Sequence, residues 1–291
     1  MTHALEEIQS QPDIWRHVVA EAGALSDGLP QPGERVAFTG CGTSWFMSMA
    51  AAALRESAGQ GESDAFTSSE FPEGRRYDRV IAISRSGTTT EVVDLLATMT
   101  DTPTTVITAV AGTPVTKLTD QSIVLDFADE ESVLQTRYAT AVLALIRLSL
   151  GHDLTPAISH AEEALTIEIP QELVSAEQIS FLGQGWTVGL AHEAALKTRE
   201  SSQFWAEAYP AMDYRHGPIS IAEPGRAVWM LGNAPDGLAD DVYRTGAYWF
   251  SSSWDPMAQL VLAQRVAVAI SQSRGLDTDN PRHLSRSIVL R

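Results

Sequence analysis

Seven residues between a predicted strand and a predicted helix carry the sharpest local chemical signal. Five of the side chains in residues 84–90 are hydroxyls, and they surround the single glycine Gly87. A helix start favours an anion because its first backbone N–H groups are unpaired and carry partial positive charge. Thr43 and Ser44 follow the preceding predicted strand and could complete such a site at the same sheet edge. The pattern predicts either a phosphate site or a simple helix cap.

A second set of candidate residues lies on one predicted helix, residues 192–200. Glu193, Lys197 and Glu200 are spaced i, i+4 and i+7, so they share one helix face. The same spacing is typical of a surface ion pair worth a few tenths of a kcal/mol. His192 and Glu193 do not open a zinc motif, because Leu196 stands where the second histidine is needed. The spacing alone leaves a functional and a merely solvated face both open.

A third candidate is His216, in a loop closed by Gly217 and Pro218. A histidine can exchange protons near neutral pH, which suits it to general acid and base catalysis. A loop histidine can equally be a solvent-exposed residue without a role.

Composition narrows the class of protein. The 291 residues include 20 Lys plus Arg and 37 Asp plus Glu, a net charge of −17, which weighs against non-specific nucleic-acid binding. The one cysteine, Cys41, excludes an intrachain disulfide and a multi-cysteine metal site. No apolar run reaches the ~18 residues of a membrane span, and the first thirty residues show no signal-peptide pattern. We therefore expect a cytoplasmic protein without a membrane partner.

Alternating strands and helices must position these residues. Residues 35–39, 79–83 and 104–109 are short apolar or β-branched runs, and residues 45–56 and 91–100 read as helices between them. Strands without polar alternation, separated by helices, are typical of a parallel sheet covered on both faces. The sequence predicts an α/β fold, with flavodoxin-like, three-layer αβα units.

An internal repeat predicts that the chain contains this unit twice. Residues 38–44 are echoed by residues 181–187, an offset of 143, and the strand 80–83 recurs at 227–231. The hydroxyl-rich loop has no counterpart in the second copy. We predict two domains, residues 1–152 and 153–291, with phosphate binding in the first.

Six segments in order resemble the SIS (sugar isomerase) family, including the isomerase half of glucosamine-6-phosphate synthase and the stand-alone deaminases and isomerases. They are Glu7-Ile8 with Gln11-Pro12, residues 40–44, residues 84–89, residues 193–200 with 206–209, residues 216–218, and the tail 281–287. The resemblance covers nearly the whole chain and implies two tandem SIS domains.

The resemblance also implies residue roles. Glu200 would move a proton between C2 and C1 through an enediol-like intermediate. Glu193 and Lys197 would orient and polarise the sugar hydroxyls, and His216, from the other subunit of a homodimer, would open the ring. The phosphate and the sugar would be bound by Thr43, Ser44, Ser84, Arg85, Ser86, Thr89, Val133, Gln135 and Arg286. No metal and no cofactor is implied.

Three departures from the synthase pattern favour the stand-alone branch. The chain starts directly at the isomerase segment, so we expect no glutamine-dependent synthesis. Arg286 stands where the synthase has a Schiff-base lysine, and a guanidinium cannot form one. Arg85 replaces a glutamine of the synthase phosphate loop, and residues 133–137 differ from its V-x-S-T-K segment.

These observations predict an enzyme that converts glucosamine 6-phosphate, or a close relative, to the ketose phosphate and ammonia. A fructosamine-6-phosphate deglycase and a plain aldose–ketose phosphosugar isomerase are the enzymatic alternatives. A sugar-phosphate sensor without turnover is the alternative from another class, although no helix-turn-helix pattern precedes residue 35. The expected partners are a small phosphosugar and a second copy of the chain.

Overall fold

The structure of the chain, a computed structural model, describes residues 2–290. Those residues form two compact units. The first unit comprises residues 13–131, 135–154 and 285–290, and the second comprises residues 2–12, 132–134 and 155–284.

The first unit is built on a parallel sheet. Its strands are β1 (Val36–Gly40), β2 (Ser63–Thr67), β3 (Arg79–Ile83), β4 (Thr104–Thr108) and β5 (Gln121–Val124), and its helices are α2 (Gln11–Leu25, from residue 13 onward), α3 (Thr43–Ser57), α4 (Thr90–Thr98), α5 (Pro114–Leu118) and α6 (Arg137–Ser149). The strand order is β2-β1-β3-β4-β5, the order of flavodoxin-type sheets. Every residue of β1 and β4 is buried, which explains their uninterrupted apolar and β-branched character.

The second unit is built on a smaller parallel sheet. Its strands are β6 (Ile179–Gly183), β7 (Ala206–Pro210), β8 (Ala227–Met230) and β9 (Tyr248–Phe250), and its helices are α1 (His3–Gln9), α7 (Thr155–Thr166), α8 (Gln171–Val174), α9 (Thr187–Ser202), α10 (Leu238–Tyr243) and α11 (Pro256–Ser273). The strand order is β7-β6-β8-β9. The rings of Phe181 and Trp229 pack 5.6 Å apart in its core. The predicted α/β class, with parallel sheets flanked by helices, is confirmed.

Two glycines let a helix begin close against the end of a strand. A Cβ at Gly40, the last residue of β1, would lie 2.7 Å from the Cβ of Ser44 in α3. A Cβ at Gly183, the last residue of β6, would lie 2.2 Å from the carbonyl oxygen of Thr187 in α9. These positions correspond in the sequence repeat, so both strand-to-helix turns need glycine for the same steric reason.

The grouping of the chain differs from two consecutive halves. The units change near Leu154 and Thr155, close to the predicted boundary at 152–153, but both chain ends group with the opposite half. The N–H groups of His3 and Ala4 each donate to the Asp279 carboxylate at 2.9 Å, which holds α1 in the second unit. The last residues join the first unit through contacts with the loop before α4. Among residues 2–290, no helix has the length and apolar character that a membrane crossing requires.

Candidate active site

In the first unit, residues 84–89 connect β3 to α4 at the carboxyl end of the sheet. Ser84 is only 3% exposed, and its hydroxyl oxygen is buried without a hydrogen-bond partner among the described residues. A buried hydroxyl without a partner costs free energy in the unliganded protein. Such a group is expected where a ligand supplies the missing acceptor.

Gly87 sets the shape of this loop. Its φ of 64° lies in the left-handed region, and a Cβ there would lie 2.1 Å from the Thr113 hydroxyl. Only glycine therefore allows the tight turn that brings the loop backbone against the segment after β4.

Two helices of the first unit begin at the sheet edge where this loop lies. Gly42 precedes α3 and Thr89 precedes α4, and neither makes a side-chain cap hydrogen bond. Because β1 and β3 are adjacent and parallel, both helices begin at the same edge of the sheet. Thr43 and Ser44, in the first turn of α3, are buried. The positive ends of both helix dipoles therefore lie at one sheet edge, where they favour an anion.

The tail lies on the same loop. The hydroxyl of Ser287 lies 3.1 Å from that of Ser86 and 2.9 Å from that of Thr88. The N–H of Thr90, at the start of α4, donates to the Ile288 carbonyl at 3.1 Å. The resemblance had placed this tail at the site, and the hydrogen bonds bring it to the predicted phosphate loop.

Two predicted ligands in the first unit have acidic partners. The guanidinium of Arg85 is buried and its Nη1 lies 3.5 Å from Glu130 Oε2, rather than being presented to solvent. The guanidinium of Arg286 lies 2.5 Å from Asp129 Oδ1 and is about one third exposed. Gln135 has a buried side-chain oxygen without a hydrogen-bond partner among the described residues, as expected for a group awaiting a ligand.

In the second unit, α9 carries the buried acid–base cluster. Glu193 is 0% and Lys197 3% exposed, and the lysine Nζ lies 3.6 Å from Glu193 Oε1. The same Nζ donates to the carboxylate of Glu200, whose side chain is 20% exposed. The cluster therefore differs from a solvated surface pair. It provides one partly exposed carboxylate beside a buried cation.

Packing of α9 explains why this charged face is buried. The helix lies against β6 and β7 and packs extensively on α11. Its small residues Ala194 and Ala195 are fully buried, and the hydroxyl of Ser201 donates to the Ala267 carbonyl of α11 at 3.3 Å. Small side chains let the helix approach closely, which removes water from the neighbouring ionisable groups.

His216 is placed differently from this cluster. It is exposed at the end of a short 3₁₀ turn, Asp213–His216, and makes no hydrogen bond or ion pair within residues 2–290. Its role in ring opening stays a prediction.

Val133 follows Ser132, a residue that Glu7 binds through its carboxylate. Glu7 is buried, and its carboxylate accepts from the Ser132 N–H at 3.2 Å and lies 2.5 Å from the Ser132 hydroxyl. The sequence offered Glu7 only as part of the family resemblance. Glu130 was missed altogether, because an acidic residue in a loop normally reads as a solvated one.

Burial also sets the protonation state of one side chain in each unit. Burial raises the pKa of the Cys41 thiol, although its hydrogen bond with Ser68 acts in the opposite direction. Burial, followed by the charge of Arg199, lowers the pKa of His192 on α9. Both side chains are therefore neutral at pH 7. In the part of the chain that the structure describes, no cluster of three His, Cys, Asp or Glu residues could hold a metal ion.

Comparison with known proteins places these features in context. No family model matches the chain. It is 25% identical over 324 residues to the isomerizing glutamine–fructose-6-phosphate aminotransferase of Sulfurisphaera tokodaii, and 26% identical over 357 residues to that of Listeria monocytogenes. These alignments cover 98% and 99% of the chain. The chain spans about half the length of these curated relatives, 54% and 58%.

Solved structures share the fold over almost the full chain. The glucosamine-6-phosphate deaminase of Thermotoga maritima matches with a TM-score of 0.86 at 23% identity, covering 99% of this chain and 100% of that one. The tagatose-6-phosphate ketose/aldose isomerase of Escherichia coli matches with a TM-score of 0.77 at 20% identity, covering 100% and 97%. The resemblance inferred from the motifs is confirmed: homologues of this chain are the SIS domain of isomerizing aminotransferases and phosphosugar isomerases.

Proposed function

We propose that this chain is a phosphosugar isomerase of SIS type that acts on an amino-sugar phosphate. The favoured reaction converts glucosamine 6-phosphate and water to fructose 6-phosphate and ammonia. The observation that carries the proposal is the buried cluster of Glu193, Lys197 and Glu200 on α9. A carboxylate and a cation held this way suit proton transfer at carbon next to a developing negative charge.

The proposed chemistry assigns one step to each group. With the sugar ring open, the Glu200 carboxylate takes the proton from C2 while Lys197 stabilises the charge that develops on O1. As Glu200 returns the proton to C1, a proton passes from the nitrogen on C2 to O1, which leaves a hydroxymethyl group at C1 and an imine at C2. Water adds to the imine carbon, and ammonia leaves to give the ketone. Glu193 keeps the Lys197 ammonium in place, and His216 is proposed to protonate the ring oxygen during ring opening.

The phosphate would be bound in the first unit by residues 84–89 and the start of α3. The unpartnered hydroxyl of Ser84 and the absence of side-chain caps at the starts of α3 and α4 support this assignment. Release of ammonia, rather than its incorporation from glutamine, is supported by Arg286, because an ion-paired guanidinium cannot form a Schiff base.

The proposal is tested by ammonia release from glucosamine 6-phosphate, with fructose 6-phosphate followed in a coupled assay. Glu200→Gln should lose at least 100-fold in kcat, as expected for removal of a general base, and should keep its affinity for the substrate. Glu223→Gln is the control, because Glu223 is also ion-paired within the second unit, to Arg226, but is 56% exposed. Full turnover in Glu200→Gln would refute the base assignment.

The same assay separates the alternatives. Ketose formation without ammonia, from an unaminated aldose phosphate, would identify an aldose–ketose isomerase, the activity named for the Escherichia coli structural neighbour. Activity confined to fructosamine 6-phosphates would identify a deglycase. Binding without turnover of any of these would identify a sensor.

We further propose that the units are two tandem SIS domains and that the protein is a cytoplasmic homodimer with shared sites. The corresponding strand orders and the equivalent glycines Gly40 and Gly183 support the tandem repeat. The dimer rests on the family resemblance. If each site combines Glu200 with the partner's His216, mixing inactive Glu200→Gln and His216→Ala subunits should restore about a quarter of the activity. No restoration would refute shared sites.

A further inference from the structure

A buried ion pair joins the predicted phosphate loop to a residue outside it. The side chains of Arg85 and Glu130 are 1% and 0% exposed, and Nη1 lies 3.5 Å from Oε2. Charged groups remain ionised at such depth only when each has a partner and further hydrogen bonds. Each member of the pair therefore depends on the other.

Glu130 is fixed from its other side by the start of α6. Its Oε1 accepts from the Thr136 N–H at 2.5 Å, the Thr136 hydroxyl at 2.8 Å and the Arg137 N–H at 2.8 Å. These donors satisfy orphan N–H groups of the first helical turn and favour the ionised carboxylate. The position of the carboxylate is thus set by α6 and not by the phosphate loop.

Arg85 reaches from this fixed carboxylate to the tail. Its Nη2 donates to the Arg286 carbonyl at 3.2 Å, and its own carbonyl accepts from the Thr108 hydroxyl and the Ala109 N–H, both at 3.1 Å. The next tail residue, Ser287, is the one whose hydroxyl contacts the phosphate loop. Arg85 therefore contacts the segment at the end of β4 through its backbone carbonyl, and the tail and Glu130 through its guanidinium.

We propose that Arg85 and Glu130 are a positioning pair that sets the phosphate loop and the tail, and that Arg85 is not itself a phosphate ligand. This inference rests on the proposed phosphate site. A guanidinium that moved to the phosphate would break this buried ion pair, which is strongly unfavourable. The pair instead leaves the hydroxyls and helix N–H groups to bind the anion.

The two interpretations predict opposite behaviour for Glu130→Gln. If Arg85 only positions, Glu130→Gln and Arg85→Gln should each weaken binding of inorganic phosphate by about tenfold, and the double variant should be no weaker than the singles, because coupled residues are not additive. If Arg85 is a ligand, Arg85→Gln alone should weaken binding, while Glu130→Gln should leave it unchanged or tighten it. That second pattern would overturn the proposal.

An independent readout is tryptic cleavage after Arg286, whose carbonyl Arg85 holds. Glu130→Gln should release the terminal peptide several-fold faster than the unsubstituted protein, as measured by mass spectrometry. The control is Glu34→Gln, which disturbs a partly buried ion pair with Arg79 at the opposite end of β3. Unchanged cleavage in Glu130→Gln would overturn the proposal.

A milder variant covers the case in which Glu130→Gln does not fold. Thr136→Ala removes one hydroxyl bond to Glu130 and should shift phosphate affinity and tail cleavage in the same directions by a smaller factor. Unchanged values for both would overturn the proposal. If the unsubstituted protein bound no phosphate, the proposed function would fail, while the cleavage comparison would still test whether the pair holds the tail.

Discussion

Ser84→Ala should affect the free protein and its complex with a sugar phosphate in opposite directions. In the free protein the Ser84 hydroxyl is buried without a hydrogen-bond partner among the described residues. Leaving a polar group buried and unsatisfied costs about 1–3 kcal/mol. Replacing the hydroxyl with a hydrogen atom removes this cost and leaves only a small void, so the free energy of unfolding should stay the same or rise.

The complex should respond in the other direction. A hydrogen bond to a charged acceptor such as phosphate contributes about 1.5–3 kcal/mol. At 1.36 kcal/mol per factor of ten, the Kd should rise about 10- to 150-fold. The affinity for the unphosphorylated sugar should change much less, because that molecule lacks the charged phosphate acceptor.

Urea unfolding of the free protein and calorimetric titration with glucosamine 6-phosphate measure the two effects. Ser48→Ala is the matched control, since Ser48 is also buried in the first unit but its hydroxyl donates to the Ser44 carbonyl at 2.8 Å. The control should lose stability, and its Kd for glucosamine 6-phosphate should change less than that of Ser84→Ala. Loss of more than about 1 kcal/mol in Ser84→Ala, or an unchanged Kd, would refute the reasoning.

Three further predictions concern other features of the units. Lys197→Met removes the cation beside the fully buried Glu193 and should lower the free energy of unfolding, measured in urea, by about 3–5 kcal/mol. Adding Glu193→Gln to this variant should recover part of the lost stability. No recovery would contradict the ion pairing. Gly87→Ala places a side chain at a φ of 64° and against the Thr113 hydroxyl, so it should lower the free energy of unfolding by about 1–3 kcal/mol and weaken phosphate binding. The control Gly112→Ala is also at positive φ but in open space, so it should leave phosphate binding unchanged. Equal phosphate affinities of the two variants would count against the loop geometry. Burial, reinforced by a hydrogen-bonded carboxylate, raises the pKa of Tyr209 to about 12 from 10.0. The stabilising contribution of this phenol should therefore be complete below pH 10 and lost as the pH rises towards 12. Tyr209→Phe should flatten the dependence of the free energy of unfolding on pH over that range, and an unchanged dependence would exclude this phenol as its source.

Local patterns were sufficient for most of the secondary structure. The strand predicted at residues 79–83 agrees with β3 (Arg79–Ile83), and the strand predicted at 104–109 differs from β4 (Thr104–Thr108) by one residue. The helix predicted at 45–56 begins two residues earlier, because Gly42 lets the chain turn directly into α3. Runs of buried apolar residues specify parallel strands by themselves, since both faces of the sheet are covered.

Local sequence patterns predicted the candidate site only in part. Helix periodicity placed Glu193, Lys197 and Glu200 on one face, and the structure confirms that Lys197 contacts both glutamates. Whether that face is solvated or buried depends on the packing of α9 against α11, which spacing along one helix does not reveal. His216 lacked any such periodic context, and the structure leaves it exposed.

The sequence by itself determined the α/β class, the strand-to-helix loops and the residue types available at those loops. The reason is that strand periodicity, helix periodicity and turn chemistry depend on neighbours within a few positions along the chain. Tertiary structure alone decided the partners of the buried charges and hydroxyls. Glu130 lies 45 positions from Arg85, and Ser287 lies 201 positions from Ser86. A buried charge takes its partner from whichever segments the topology brings together, and nothing local in the sequence encodes that choice.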